Sequence, residues 1–399
     1  MSDWPLVALR DVFEINRGGS PRPIDDFITD DPSGINWIMI GDATEGSKYI
    51  TGTKKRIRPE GAQRSRAVKP GDFLLTNSMS FGKPYIMRTS GCIHDGWLVL
   101  SPRRHDADAD FFYHLLGSKA VYSEFQRRAA GATVKNLNID LVSGVKIPLP
   151  PLPEQRRIAE ILDKADALRV KRRAALAQLD TLTQSIFLDM FGDPASHTQR
   201  FPVQPLEAVL KRLLQNGAYF PKESYTELGG VEMVHMSDAF CEVVRRGQLK
   251  RVVCAKSDVE KYALSENDIL LARRSLTLEG AAKPCLIPKS SEPLIFESSF
   301  IRVTPHPNKL TALYLYHYLG NERVKQKCVK PFITQSTISG INQSNLARVP
   351  VTVPPLPLQR EFGCRVAAVD ALKAEHHRSL ANFDALFASL QHVAFREDL

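Results

Sequence analysis

The segment Ile147–Leu168, IPLPPLPEQRRIAEILDKADAL, returns near the end of the chain as VTVPPLPLQREFGCRVAAVDAL, Val351–Leu372. A duplication of this kind restricts the fold more than composition can, because each copy must build the same supersecondary unit. Four further matches keep one order. Trp4–Val12 aligns with Phe201–Val209, Ile38–Asp42 with Val234–Asp238, Pro70–Leu75 with Glu266–Leu271, and Tyr113–Gly117 with Tyr316–Gly320. The offset drifts only between 196 and 204 residues, as short insertions would make it do.

Each copy has two parts. The first carries short β-branched and apolar runs, such as Asn36–Ile40, Asp72–Thr76 and Trp97–Leu100, between Gly, Pro, Asp and Ser clusters. This pattern predicts a strand-rich module with a few helices, one of them over Asp110–Arg128. The second part follows the Pro-Pro-Leu-Pro knot. Residues 154–191 contain neither Gly nor Pro and are rich in strong helix formers. Ile158, Ile161, Ala165, Leu168, Ala175, Leu179, Leu182 and Ile186 recur in steps of three and four, interrupted at Arg172. The second copy offers Phe362, Val366, Val369, Leu372, Leu380, Phe383, Phe387 and Leu390, interrupted at His376. Both are coiled-coil stripes. The paired interruptions read either as a register pin or as side chains that snorkel to the edge of the seam. Gly363 makes the second helix start the weaker of the two, at a cost of about 1 kcal/mol relative to Ala.

The economical way to bury both stripes is against each other. The expected fold is α+β, with two strand-rich modules at opposite ends of an antiparallel pair of long coiled-coil helices, a pseudo-two-fold internal repeat. The corresponding divisions are 1–149, 150–195, 196–353 and 354–399. Proline stiffens each joint between module and helix because it fixes φ and favours an extended approach.

A chain of 399 residues, 43% hydrophobic and 24% charged, has the composition of a globular protein with room for two or three domains. Its formal charge of +9 favours an anionic partner. Cysteines 92, 241, 254, 285, 328 and 364 form no CxxC and no zinc-like spacing, so free thiols in a reducing cytosol are expected. The opening MSDWPLVALRDVFEI lacks an apolar signal core, and no apolar run is long enough to span a bilayer. A cytoplasmic location without a membrane partner follows as the default.

The duplicated Pro-Pro-Leu-Pro-x-Gln segments (Pro150–Gln155 and Pro354–Gln359), the long helices after them, and the Gly-Asp-Phe-Leu-Leu and Asn-Asp-Ile-Leu-Leu strands resemble the specificity subunit of type I restriction-modification systems. The resemblance covers essentially the whole chain. It implies a non-catalytic chain that binds double-stranded DNA through two target-recognition domains, each reading half of a split site. It also implies two methyltransferase subunits and restriction/translocase subunits as partners. S-adenosylmethionine, ATP and Mg belong to those partners, and this chain is expected to bind no cofactor or metal. The exposed sides of the helices would carry the partners, with Arg157 and Arg173 as candidates.

Candidate DNA contacts follow from charge. Gly46–Gly71 holds eight Lys or Arg against one acid and lies between two predicted strands. Such a basic loop can follow phosphates, through Lys54, Lys55, Arg56, Arg58, Arg64 and Arg66. Asn77, Ser78 and Lys83 follow the next strand, where Asn and Ser either read base edges or make a turn. In the second copy the matching loop offers Arg273, Arg274, Ser275 and Lys283, and a second basic cluster comprises Arg245, Arg246, Lys250 and Arg251. Different residues at equivalent places predict an asymmetric target.

No sequence motif for S-adenosylmethionine or ATP binding is present, and no GxSxG elbow. Adjacent His376 and His377 point about 100° apart on a helix and are poor co-ligands. Two other readings fit the same residues: the equivalent subunit of a restriction system with a fused methylation and cleavage chain, and a coiled-coil scaffold that does not bind DNA.

Overall fold

The computed structural model describes residues 4–43, 46–77, 82–129, 136–193, 200–239, 241–335 and 337–395. Two compact units emerge, one formed by residues 1–175 with 376–399, the other by 176–375. Two helices of 40 residues, Leu152–Phe191 and Leu356–Phe395, contribute to both. At ~1.5 Å per residue each is roughly 60 Å long. The second helix begins at the position equivalent to the first despite Gly363.

The first unit contains two five-stranded sheets. One is built around Trp97–Pro102, which pairs antiparallel with Phe13–Arg17 and Phe73–Thr76. The other contains a parallel pair, Ile35–Ile38 beside Gly91–Ile93. The second unit repeats both arrangements with four strands each. Phe300–Val303 lies between Gln215–Asn216 and Ile269–Ala272, and Val231–Val234 runs parallel to Leu294–Phe296. The strand signals are therefore answered at Ile35–Ile38, Phe73–Thr76 and Trp97–Pro102. The helix expected over Asp110–Arg128 is two helices, Ala109–Leu116 and Lys119–Ala129, because Gly117 ends the first.

The reason for the repeated knot is Gln155 and Gln359, each 1% exposed. Gln155 accepts from the backbone N–H of Asp108 (2.8 Å) and donates to the carbonyls of Asp106 (3.0 Å) and Pro150 (2.8 Å). Gln359 accepts from Thr311 N–H (2.8 Å) and donates to Lys309 (2.9 Å) and Pro354 (2.8 Å). Asp108 and Thr311 are themselves N-caps of the following helices. One buried amide thus ties the knot, the long helix and the module's helix together, in both units.

The seam differs from the expected stripe. On the first long helix the inward positions are Gln155, Ile158, Leu162, Ala165, Arg169, Arg172, Leu176, Leu179, Thr183, Ile186 and Met190. This is an unbroken alternation of three and four. Ile161, Leu168 and Leu182 are 39–45% exposed. On the second helix only Leu372 departs, with Lys373 turned inward in its place. The charged seam residues are tolerated because they are paired. In the first unit Arg169 Nε lies 2.6 Å from Asp384 and its guanidinium sits over the Phe387 ring; in the second, Lys373 meets Asp180 at 3.0 Å. Arg172 donates to His376 Nδ1 across the seam at 3.2 Å. Within each unit the helix segments run antiparallel, as the Arg169–Asp384 and Arg172–His376 pairs and the Asp180–Lys373 and Phe187–Phe362 pairs require. They join the module's own core: Ile158, Leu162 and Phe395 in one case, Phe187, Phe362 and Val366 in the other. All six cysteines are unpaired.

Candidate nucleic-acid interface

In the first unit the basic segment is less of a loop than expected. It supplies the strands Lys55–Ile57 and Arg66–Val68 and a one-turn helix, Pro59–Ala62, to the sheet that holds the parallel pair. Lys54, Lys55, Arg58, Arg64 and Arg66 remain exposed on this scaffold. Arg56 is half-buried and donates to the carbonyl of Pro32, while the Arg64 guanidinium lies 5.4 Å from the Phe27 ring centre. Arg56 therefore braces the sheet.

Asn77 points inward. It is 2% exposed, and its amide donates to Asp95 O at 2.7 Å. Of the two roles expected for it, shaping the turn is the one this geometry serves. Ser78 lies outside the described residues, and Lys83 is exposed.

The second unit holds its loop from beneath. Arg274 and Ser275 form a short strand against Ser339–Gly340, with Arg274 exposed and Arg273, Ser275 and Lys283 half-buried. Ser275 Oγ accepts from Thr277 N–H, and Ala282 adopts a φ of 55°. The buried Lys325 ammonium donates to Ala281 O, and burial pushes that amine down to about 8. Sequence reading missed Lys325 because it lies about fifty residues from the loop it supports.

The other basic cluster splits in two. Arg246 binds the Glu232 carboxylate at 2.7 Å and the carbonyls of Glu292 and Pro293. Arg251 donates to Gly229 and Gly230 and lies 3.9 Å from Glu232. Burial opposes the charge on Glu232, but the hydrogen bonds from Arg246 and Gly247 N–H outweigh it and hold the carboxyl below its usual range. Arg245 and Lys250 face solvent.

Beside Lys250 and Arg251 lies an open concavity of about 850 Å³, walled in part by Tyr219, Phe220, Lys222, Tyr225 and His235. Tyr219 is 82% exposed. A basic hollow edged with aromatic rings can stack on bases as well as attract phosphate. Its leading signal in sequence is Gly217-Ala-Tyr-Phe-Pro-Lys222. A Cβ on Gly217 would stand 2.2 Å from Glu297 O, so only glycine lets the chain pass there. Gly18 makes the equivalent passage in the first unit, 2.0 Å from His94 O, and leads to the exposed Arg22.

Of the two partner-facing candidates, Arg157 is exposed and bidentate to Glu154 (2.7 and 2.8 Å), and Arg173 reaches Asp384 at 3.2 Å. Among the described residues no group of three or more His, Cys, Asp or Glu is placed to hold a metal ion, and no helix is long and apolar enough to cross a membrane.

Two modules of one topology, each locked to long helices by the same glutamine and each presenting a different set of exposed cations, define a duplicated recognition scaffold. The family described as the type I restriction modification DNA specificity domain matches residues 1–178 and again 206–381, and the chain belongs to it. Members are the non-catalytic subunits that select the DNA target sequence of type I restriction-modification enzymes. The EcoKI specificity subunit of Escherichia coli K12 is 24% identical over 306 residues, 72% of this chain and 65% of its own length. The MjaVIII specificity subunit of Methanocaldococcus jannaschii is 21% identical over 388 residues, 93% of this chain and 87% of its own. A solved structure described for complex assembly and conformational transition of the type I R-M system covers 100% of this chain and 99% of its own, with a TM-score of 0.65 at 18% identity. The type I S subunit of M. genitalium gives 0.51 at 16% identity, with 98% of this chain and 96% of its own covered. These two likenesses concern the fold.

Proposed function

We propose that this chain selects a bipartite, asymmetric DNA sequence for a type I restriction-modification complex, with each strand-rich module reading one half. The observation that carries this is the duplicated family match on two modules of one topology whose exposed cations differ. Residues 1–149 and 196–353 act as the target-recognition domains, and 150–195 and 354–399 as the helical regions between them. Phosphate contacts come from Lys54, Lys55, Arg58, Arg64, Arg66 and Lys83 in the first domain and from Arg245, Lys250, Arg273 and Lys283 in the second. Arg274 is the candidate for guanine, which a guanidinium reads through O6 and N7. Arg56, Asn77 and Arg246 position these groups.

The chain performs no chemistry. Two methyltransferase subunits bind the outward sides of the long helices, at Arg157, Arg173 and the exposed Ile161, Leu168 and Leu182. They supply S-adenosylmethionine, while restriction subunits supply ATP- and Mg-dependent translocation. The setting is the cytoplasm. Purifying the chain with its neighbouring gene products and mapping methylated adenines on genomic DNA tests the reading. One split motif with unlike halves is expected; methylation without sequence preference, or none that depends on this chain, would refute it.

A further inference from the structure

The two units differ at one equivalent place. In the first, His114 Nε2 lies 2.6 Å from Asp163 Oδ1, and its ring packs against Phe387 with centres 5.9 Å apart. In the second, the corresponding histidine is His317, and the helix positions in register with Asp163 and Phe387 hold Ala367 and Thr183. A carboxylate has become a methyl group and a phenyl ring a hydroxyl.

Beside Thr183 and His317 lies a cavity of about 190 Å³ whose lining includes Asp180, Thr183, Gln184, Glu242, His317 and Lys373. Two of its atoms have no hydrogen-bond partner among the described residues: Thr183 Oγ1, in a residue only 7% exposed, and His317 Nε2. Buried polar atoms of this kind are costly unless something satisfies them. Burial, helped by Lys373, pushes His317 down to about 4, so its imidazole is neutral at pH 7. Lys373 pairs with Asp180 at 3.0 Å, and Glu242 adds a second carboxylate at the exposed rim. The lining therefore holds one more negative than positive group, on a chain whose overall charge is +9.

We propose that this cavity is a binding site for a small cationic N–H donor, an ammonium or guanidinium group. Such a group gives the Thr183 oxygen the donor it lacks, does the same for His317 Nε2 in the tautomer whose proton sits on Nδ1, and balances the surplus carboxylate. An anion would meet Asp180 and Glu242 instead. The cation is either a free amine or guanidine, or a Lys or Arg side chain from a partner subunit.

The test titrates methylguanidinium into the full-length chain against sodium at matched ionic strength, by calorimetry and thermal unfolding. Wild type should bind saturably and melt at a higher temperature. Thr183→Phe installs the ring found at the equivalent position of the first unit and should abolish binding while keeping every surface charge. Glu242→Gln, at an exposed position that folding tolerates, should weaken binding at least tenfold. Wild type that takes up methylguanidinium no better than sodium, or no better than Thr183→Phe, overturns the proposal and leaves the cavity to ordered water. Unchanged affinity in Glu242→Gln overturns it as well, even if Thr183→Phe does not fold. Repeating the titration on the chain bound to its partner subunits separates the sources. Uptake lost in the complex assigns the site to a partner side chain, and uptake retained assigns it to a free cation.

Discussion

Replacing Gln155 by alanine should destabilise the first unit by about 3 kcal/mol. The side chain makes three hydrogen bonds while 1% exposed, each worth about 0.5–1.5 kcal/mol net. Its loss leaves an N–H and two carbonyls short of partners in a place that water reaches poorly. Gln359→Ala removes the same three bonds from the second unit and should cost the same to within about 1 kcal/mol. For units of this size the shift in Tm should be roughly 6–12 °C. Gln155→Glu sharpens the argument. It keeps the acceptor for Asp108 N–H but sets a carboxylate oxygen against the carbonyls of Asp106 and Pro150, so it should cost more than alanine at neutral pH. The assay is urea unfolding of the full chain followed by near-ultraviolet circular dichroism, with pulse proteolysis to tell which unit opens. Alanine variants within about 0.5 kcal/mol of wild type would mean that the prolines alone fix the joint, and the role given to the amide would be wrong.

Other outcomes follow from the same geometry. Arg274→Ala should weaken DNA binding and lower the salt dependence by about one phosphate-equivalent if it contacts the backbone, or relax specificity at one base pair if it reads guanine; fluorescence anisotropy across salt and site variants decides between them. Arg246→Ala should instead lower stability, because it strands the buried Glu232. Leu168→Asp and Leu182→Asp, at exposed helix positions, should abolish co-purification with methyltransferase subunits while leaving the melting temperature nearly unchanged. At Asp163, burial raises the carboxyl pKa, but hydrogen bonds from His114 and Lys48 outweigh it and leave a net lowering. Its contribution to stability is present above the ordinary aspartate range and is lost as pH falls through the lowered value, so Asp163→Asn should flatten the acid limb of the stability profile. Exchanging residues 1–147 for those of a relative should change one half of the recognised site and leave the other intact.

The elements that repeat were legible because two copies report on one structure. The Pro-Pro-Leu-Pro-x-Gln knot gave both joints and both helix starts. Periodicity gave the seam only partly, since steps of three and four fit both Ile161-Leu168-Leu182 and Leu162-Arg169-Thr183. Apolarity favoured the first set. The structure uses the second, because Asp384 and the Phe387 ring receive Arg169, and no pattern along one strand of sequence announces a partner about two hundred residues away. The same blindness left the basic candidates undivided. Arg245 and Arg246 are neighbours in sequence, yet only the fold places Glu232 beside one of them. Tyr219 and Lys325 depend on long-range geometry for their roles in the same way.

The way the chain divides between its units also sets an order of assembly. The second unit is a continuous stretch, residues 176–375, whereas the first must wait for residues 376–395. Phe395 is 3% exposed, and its ring meets that of Phe111 with centres 5.6 Å apart. On a ribosome, where domains ordinarily fold from the N-terminus onward, the module made first can be completed only by residues made after the whole of the second. A nonsense mutation near codon 380 would therefore spare the later module and cripple the earlier one. Until residues 376–395 emerge, a nascent chain holds an unfinished first module while the second can already form, which makes that interval the natural point for chaperone binding or proteolysis.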